Sequence, residues 1–164
     1  MITERLLGPT NPKTKEHLEV NREEALVASS LEHREHILFV DDDKRIVQIG
    51  QEILEHLGYR VTGVTSSMAA LEKVRRQPEK FDLVITDFTM PRMNGVELAR
   101  ELSRVRPGMP IILYTGKSKA VTAENARNLG IKDYLLKPVT AMELHQAIRR
   151  VLDAGMGGGG HSKH

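Results

Sequence analysis

The sequence predicts an α/β domain: a doubly wound, five-stranded parallel sheet of (βα)5 plan occupying residues 37–152. Three observations predict it. Short aliphatic runs alternate five times with segments whose apolar residues recur at helical spacing. The first, third and fourth runs are unbroken, the texture of strands covered by helices on both faces. Each link between runs passes through a helical segment, so the strands run parallel through right-handed crossovers.

The elements follow in order. Ile37, Leu38, Phe39 and Val40 make the first strand, which stops at Asp41-Asp42-Asp43. Ile46, Ile49, Ile53, Leu54 and Leu57 share one helical face, and Gly58 stands where a C-terminal cap belongs. Residues 59–65 read as the second strand. Ser66 or Ser67 caps a helix carrying Leu71 and Val74, stopped by Pro78. Residues 82–86 form the third strand, closed by Asp87. Asn94-Gly-Val-Glu97 opens a helix with Leu98, Leu102 and Val105 on one side. Residues 111–114 form the fourth strand, ended by Thr115, and a helix spans 121–129 before Gly130. Residues 132–136 make the fifth strand, ended by Lys137-Pro138. The last helix, 141–152, turns Leu144, Ile148, Val151 and Leu152 inward.

Two flanks differ from this body. Residues 1–36 form a polar N-terminal extension. Within it Asn21-Arg-Glu-Glu24 reads as a capping box for a helix over 22–33, or the stretch is a solvated linker. Residues 153–164, with glycine at 157–160, read as a flexible tail.

Composition narrows the function. The 164 residues are 40% hydrophobic and 28% charged, an ordinary globular mixture. Lys and Arg number 24 against 22 Asp and Glu, a near balance that argues against nucleic acid as a partner. Aromatics are 4% and Trp is absent, so base-stacking platforms are not expected. The absence of cysteine excludes disulfides, thiolate metal sites and Cys nucleophiles. No apolar run approaches the roughly 18 residues of a membrane span, and the polar N-terminus lacks a signal-peptide core. The expectation is a cytoplasmic chain with no membrane contact of its own.

In open parallel sheets ligands bind beyond the carboxyl ends of the strands. Here those ends carry Asp41 and Asp42, Asp87, Thr115 and Lys137. Clustered carboxylates repel one another unless a cation compensates them. A hard divalent ion does so, and Mg²⁺ characteristically takes one or two carboxylates plus phosphate oxygens. Lys137 adds a compact positive charge and Thr115 a hydrogen-bond donor. The set suits an aspartate that accepts a phosphoryl group. Any one of these residues alone reads as a turn or cap residue; four strand ends together do not.

The residues Ile37-Leu-Phe-Val-Asp-Asp42, Asp87-Phe-Thr-Met-Pro91 with Asn94-Gly95, Thr115-Gly116 and Tyr134-Leu-Leu-Lys137-Pro138 resemble the receiver domain of bacterial two-component response regulators. The resemblance spans residues 37–152 and implies a flavodoxin-like sheet of order 2-1-3-4-5. It implies that Asp87 is the phosphoacceptor, supplied by a sensor histidine kinase or a histidine phosphotransfer protein. Mg²⁺ (or Mn²⁺) would be held by Asp42, Asp87 and the main-chain carbonyl of Thr89, with Asp41 acting through water. Lys137 would pair with the carboxylate and then the phosphoryl group, Thr115 would hydrogen-bond that group, and Tyr134 would rotate inward. The Lys137-Pro138 peptide is typically cis in the family, and Gly116 keeps room beside the acceptor. Thr89 and Lys117 occupy positions that tune the lifetime of the acyl phosphate. Val139 departs from the aromatic residue common there. On this resemblance the chain is a signalling domain rather than an enzyme, confined to its own phosphotransfer and autodephosphorylation.

Three rivals compete with this resemblance. Gly116-Lys117-Ser118 imitates a P-loop end, but the full pattern needs glycine where Ile111 stands. Asp41-Asp42-Asp43 satisfies the opening of a haloacid dehalogenase-like phosphatase, yet Arg45 breaks the continuation and Asp87 is left unexplained. A degenerate receiver that binds proteins without being phosphorylated is the third. Arg60-Val-Thr-Gly-Val-Thr and Thr86-Asp-Phe-Thr-Met-Pro further resemble receivers of hybrid histidine kinases. Self-association is expected either through the face built by residues 121–152 or through the N-terminal helix, and no output domain is recognised.

Overall fold

A computed structural model describes residues 35–116 and 128–161, with side chains to residue 155, and the backbone of residues 18–19. The elements are β1 (His36–Val40), α1 (Lys44–His56), β2 (Arg60–Val64), α2 (Ser67–Arg76), β3 (Leu83–Asp87), α3 (Gly95–Val105), β4 (Ile111–Thr115), β5 (Ile131–Leu136) and α4 (Ala141–His161). The sheet runs β2-β1-β3-β4-β5 with every pair parallel, the expected order 2-1-3-4-5. A two-residue strand, Leu18–Glu19, also pairs in parallel with Val139–Thr140, just beyond Lys137-Pro138.

The apolar residues of the strands divide between two sides. Ile37, Phe39, Ile85, Ile112 and Tyr114 pack with α1 and α4, whereas Leu38, Val40, Val84, Ile111 and Leu113 pack with α2 and α3. Successive strand residues point to opposite faces. An unbroken run is therefore what a two-sided core requires, and β3 and β4 are buried at all five positions.

Local chemistry sets the boundaries. The Asp43 carboxylate caps α1 by accepting the Arg45 N–H at 2.9 Å, and Gly58 turns the chain out at φ 101°. Ser66, not Ser67, caps α2. Ser67 is buried, and its hydroxyl donates to the Met93 carbonyl at 2.5 Å. Asn94 and Glu97 form a reciprocal capping box on α3.

The last helix differs from its expected end at Leu152 and continues to His161. Inward packing of its apolar residues ends at Val151 and Leu152, as expected. Beyond them the backbone ladder propagates through glycines, each costing about 1 kcal/mol relative to alanine. The expected helix over 22–33 and nearly all of that over 121–129 lie outside the described residues.

Candidate functional site

Strand register creates the site. Val40 is level with Thr86, and Asp87 is level with Tyr114, so β1, β3 and β4 end side by side. The next residues of β1, Asp41 and Asp42, then meet Asp87. One carboxylate oxygen from each of the three lies within 4.8 Å of the others. Asp41 and Asp87 are 2% and 7% exposed, whereas Asp42 opens to solvent.

Each buried carboxylate is held from its own loop and by lysine. Asp87 Oδ1 accepts the Phe88 N–H at 2.9 Å and lies 3.5 Å from Lys137 Nζ. Asp41 Oδ1 accepts the Asp43 N–H at 2.8 Å, and its Oδ2 lies 3.6 Å from the same ammonium. Lys137 reaches inward from the end of β5 across a cis Lys137-Pro138 peptide. Its N–H donates to the Thr115 carbonyl at 2.9 Å, tying the ends of β5 and β4 together.

Burial dominates the electrostatics. It pushes the Asp87 carboxyl up to about 6, with the charge of Asp41 adding to the rise and Lys137 opposing it. Burial also raises Asp41, against the hydrogen bonds from Tyr114 and Asp43. Among the described residues, three carboxylates beside one ammonium leave a locally negative pocket, a donor set of hard oxygens suited to a divalent cation such as Mg²⁺.

The remaining expected residues fall around this centre. Thr115 is buried at the end of β4. Gly116 is exposed, and a methyl group added there would meet nothing within 4 Å. Thr89 is exposed in the loop after β3, and Pro138 is exposed. Tyr134 is half-buried on the α2–α3 side of the sheet. Val139, despite its departure from an aromatic, is buried against α4. Lys117 lies outside the described residues. His56 is exposed and His145 half-packed against the Tyr59 hydroxyl, 3.0 Å from its Nδ1, so neither joins the pocket.

Sequence reading missed Tyr114. It counted as one more apolar strand residue, yet its hydroxyl donates to Asp41 Oδ2 and its ring lies 4.7 Å beneath Lys137 Nζ. The available signal was a tyrosine in a fully buried strand, because a buried phenol needs a partner.

Comparison with known proteins agrees with this geometry. Residues 37–149 match the response regulator receiver domain family. The transcriptional regulatory protein ZraR of Klebsiella oxytoca is 38% identical over 116 residues, covering 71% of this chain and 26% of that protein. The chain thus spans about a quarter of the length of that relative. Among solved structures, a receiver domain protein from Clostridium thermocellum superposes with a TM-score of 0.69 at 34% identity, covering 74% of this chain and 97% of the other. The receiver domain of the sensor histidine kinase PA1611 from Pseudomonas aeruginosa PAO1, with a magnesium ion coordinated in its active-site cleft, gives 0.65 at 29% identity over 74% and 99%. The family match over residues 37–149 displaces the phosphatase alternative, whose second motif carboxylate, Asp43, caps α1 here. With the sheet order, the acidic pocket and the match over residues 37–149 in agreement, the chain belongs to the response regulator receiver domains of two-component systems.

Proposed function

We propose that this chain relays a signal by accepting a phosphoryl group on Asp87 from the phosphohistidine of a sensor histidine kinase or histidine phosphotransfer protein. One observation carries the reading: a buried strand-end carboxylate lies 3.5 Å from a lysine ammonium and within 4.8 Å of two further carboxylates. An Asp87 oxygen attacks phosphorus while the P–N bond of the phosphohistidine breaks. The electron pair returns to the imidazole nitrogen, which takes up a proton. Asp42 and Asp87, with the Thr89 carbonyl and Asp41 through water, are the residues that would hold Mg²⁺ or Mn²⁺. That ion supplies neutralisation of phosphoryl charge. The magnesium in the similar PA1611 receiver domain supports this assignment.

Lys137 already faces Asp87 and contributes a charge-assisted contact to the incoming oxygens. Thr115, one residue past the level of Asp87 on the neighbouring strand, offers its hydroxyl to the same group. The shift of Thr115 draws Tyr134 inward and alters the surface that β5 and α4 contribute to. Driving such a switch from mostly off to mostly on takes on the order of 5 kcal/mol. Thr89 and Lys117 set the lifetime of the acyl phosphate.

The test is incubation with Mg²⁺ and acetyl phosphate followed by intact-mass measurement. The wild type gains one phosphoryl group and Asp87→Ala gains none. An unmodified wild type, or a variant that still gains the mass, refutes the assignment.

A further inference from the structure

Tyr114 stands where the two sides of the site meet. It is paired in register with Asp87, adjoins Thr115 in sequence, and its side chain belongs to the opposite, α1–α4 side of the sheet. Its ring is tilted against Phe39 at 5.5 Å between centroids, fixing the phenol in one place. From there the hydroxyl donates to Asp41 Oδ2, and the ring face lies 4.7 Å from Lys137 Nζ. That same Asp41 oxygen is 3.6 Å from Lys137 Nζ, whose other carboxylate, Asp87 Oδ1, is 3.5 Å away. The ammonium therefore sits almost midway between two carboxylates, above an aromatic face that attracts a cation without choosing between them.

We infer that Tyr114 is a positioning residue that keeps Lys137 available to Asp87: its hydroxyl occupies Asp41 Oδ2, and its ring supports the ammonium between the two aspartates. This rests on the reading of Asp87 as phosphoacceptor, and it assigns a role to a residue outside that reading. The logic is competition. Asp41 is 2% exposed, so an oxygen that loses the phenol has little water to turn to. Lys137 is the nearby donor and is drawn toward Asp41 and away from Asp87. Removing the hydroxyl thus acts on the lysine through Asp41, while the carboxylates that face the cation stay in place.

Tyr114→Phe removes the hydroxyl and keeps the ring. In ¹³C-labelled full-length protein, the Lys137 ε-methylene resonances, shielded by the Tyr114 ring in the wild type, shift in Tyr114→Phe. The phosphorylation rate from acetyl phosphate at saturating Mg²⁺ falls roughly three- to tenfold, the size expected for weakening one charge-assisted contact. The Mg²⁺ concentration giving half the maximal rate stays at its wild-type value. In an Asp41→Asn background the same Tyr114→Phe change has no further effect on the rate, because the competing carboxylate is gone. A wild-type rate in Tyr114→Phe overturns the inference. So does a loss matched by weaker Mg²⁺ dependence, which marks a generally loosened pocket, or a loss that persists undiminished beside Asp41→Asn. If the wild type accepts no phosphate, the phosphoacceptor reading falls by itself. The Lys137 resonances then decide alone: a shift upholds the positioning role and unmoved resonances refute it.

Discussion

Gly95 is the first residue of α3, close against the Asp87 end of β3, and its N–H donates to the Phe88 carbonyl at 2.8 Å. A methyl group placed there would overlap the Asp87 carbonyl oxygen and approach Leu113 Cδ1 to 2.7 Å and Phe88 Cα to 3.1 Å. Two of these three neighbours are backbone, so no side-chain rotation relieves the overlap; either α3 backs away or the Asp87 backbone moves. Overpacking of this kind costs about 1–3 kcal/mol, and replacing a helical glycine returns about 0.5–1 kcal/mol. Taking the middle of each range, Gly95→Ala loses about 1 kcal/mol, a melting midpoint lower by roughly 3–4 °C. Gly116→Ala is the matched control, since a methyl group there meets nothing within 4 Å. Urea denaturation of both variants reads the stability, and intact mass after acetyl phosphate treatment reads the acceptor. Gly95→Ala should lose stability and phosphorylate more slowly, whereas Gly116→Ala should keep wild-type stability. Equal midpoints for Gly95→Ala and wild type, or an equal fall in both variants, would refute the argument from close approach.

Two further predictions concern the opposite end of the sheet. The Arg106 guanidinium donates to the Pro78 carbonyl at 3.0 Å and to the Phe81 carbonyl, closing the loop before β3 against the end of α3. Arg106→Ala leaves both acceptors without that donor and should destabilise by about 1–3 kcal/mol in urea denaturation; an unchanged midpoint would show that water replaces the arginine. The pKa of His36 is depressed, chiefly by burial and then by the charges of Arg60 and Lys80. Its Nε2 lies 2.8 Å from Thr62 Oγ1 and its ring packs edge-on against Phe81. The unfolded chain takes up the His36 proton first, so this contribution to stability is full above the ordinary pKa of about 6.5 and declines as pH falls below it. An NMR titration placing His36 above 6.5 would reverse the sign.

Much of this was legible in the sequence because two strong signals coincide. Buried parallel strands demand uninterrupted aliphatic runs, so β1, β3 and β4 are readable from the sequence as 37–40, 82–86 and 111–114, against His36–Val40, Leu83–Asp87 and Ile111–Thr115 in the structure. Polar residues that interrupt such runs at their carboxyl ends must share one rim, which brought Asp41, Asp42, Asp87, Thr115 and Lys137 into view. Caps were equally readable: Asn94 with Glu97 carries its geometry in its spacing. What stayed hidden depends on distance in three dimensions. A strand tyrosine looks apolar until its hydroxyl is seen to reach Asp41, 73 residues away. The Arg149–Glu35 ion pair at 3.0 Å joins the last helix to the residue before β1, a contact that no local period encodes. The pairing of Leu18–Glu19 with Val139–Thr140 is likewise a two-residue match without a pattern of its own. The extension of α4 through glycines contradicts their intrinsic preference, which is why the sequence placed a boundary there.

The order of the strand ends along the chain also shapes how the protein comes into being. Asp41, Asp42 and Asp87 all emerge before β4 and β5, whereas the lysine that offsets them arrives only at residue 137. During synthesis, which releases the N-terminal part first, the first three strands therefore leave the ribosome with their acidic rim complete and its basic counterpart still unmade. The nascent sheet carries its repulsion early and receives the compensating charge last, so closure of the rim waits on the final strand.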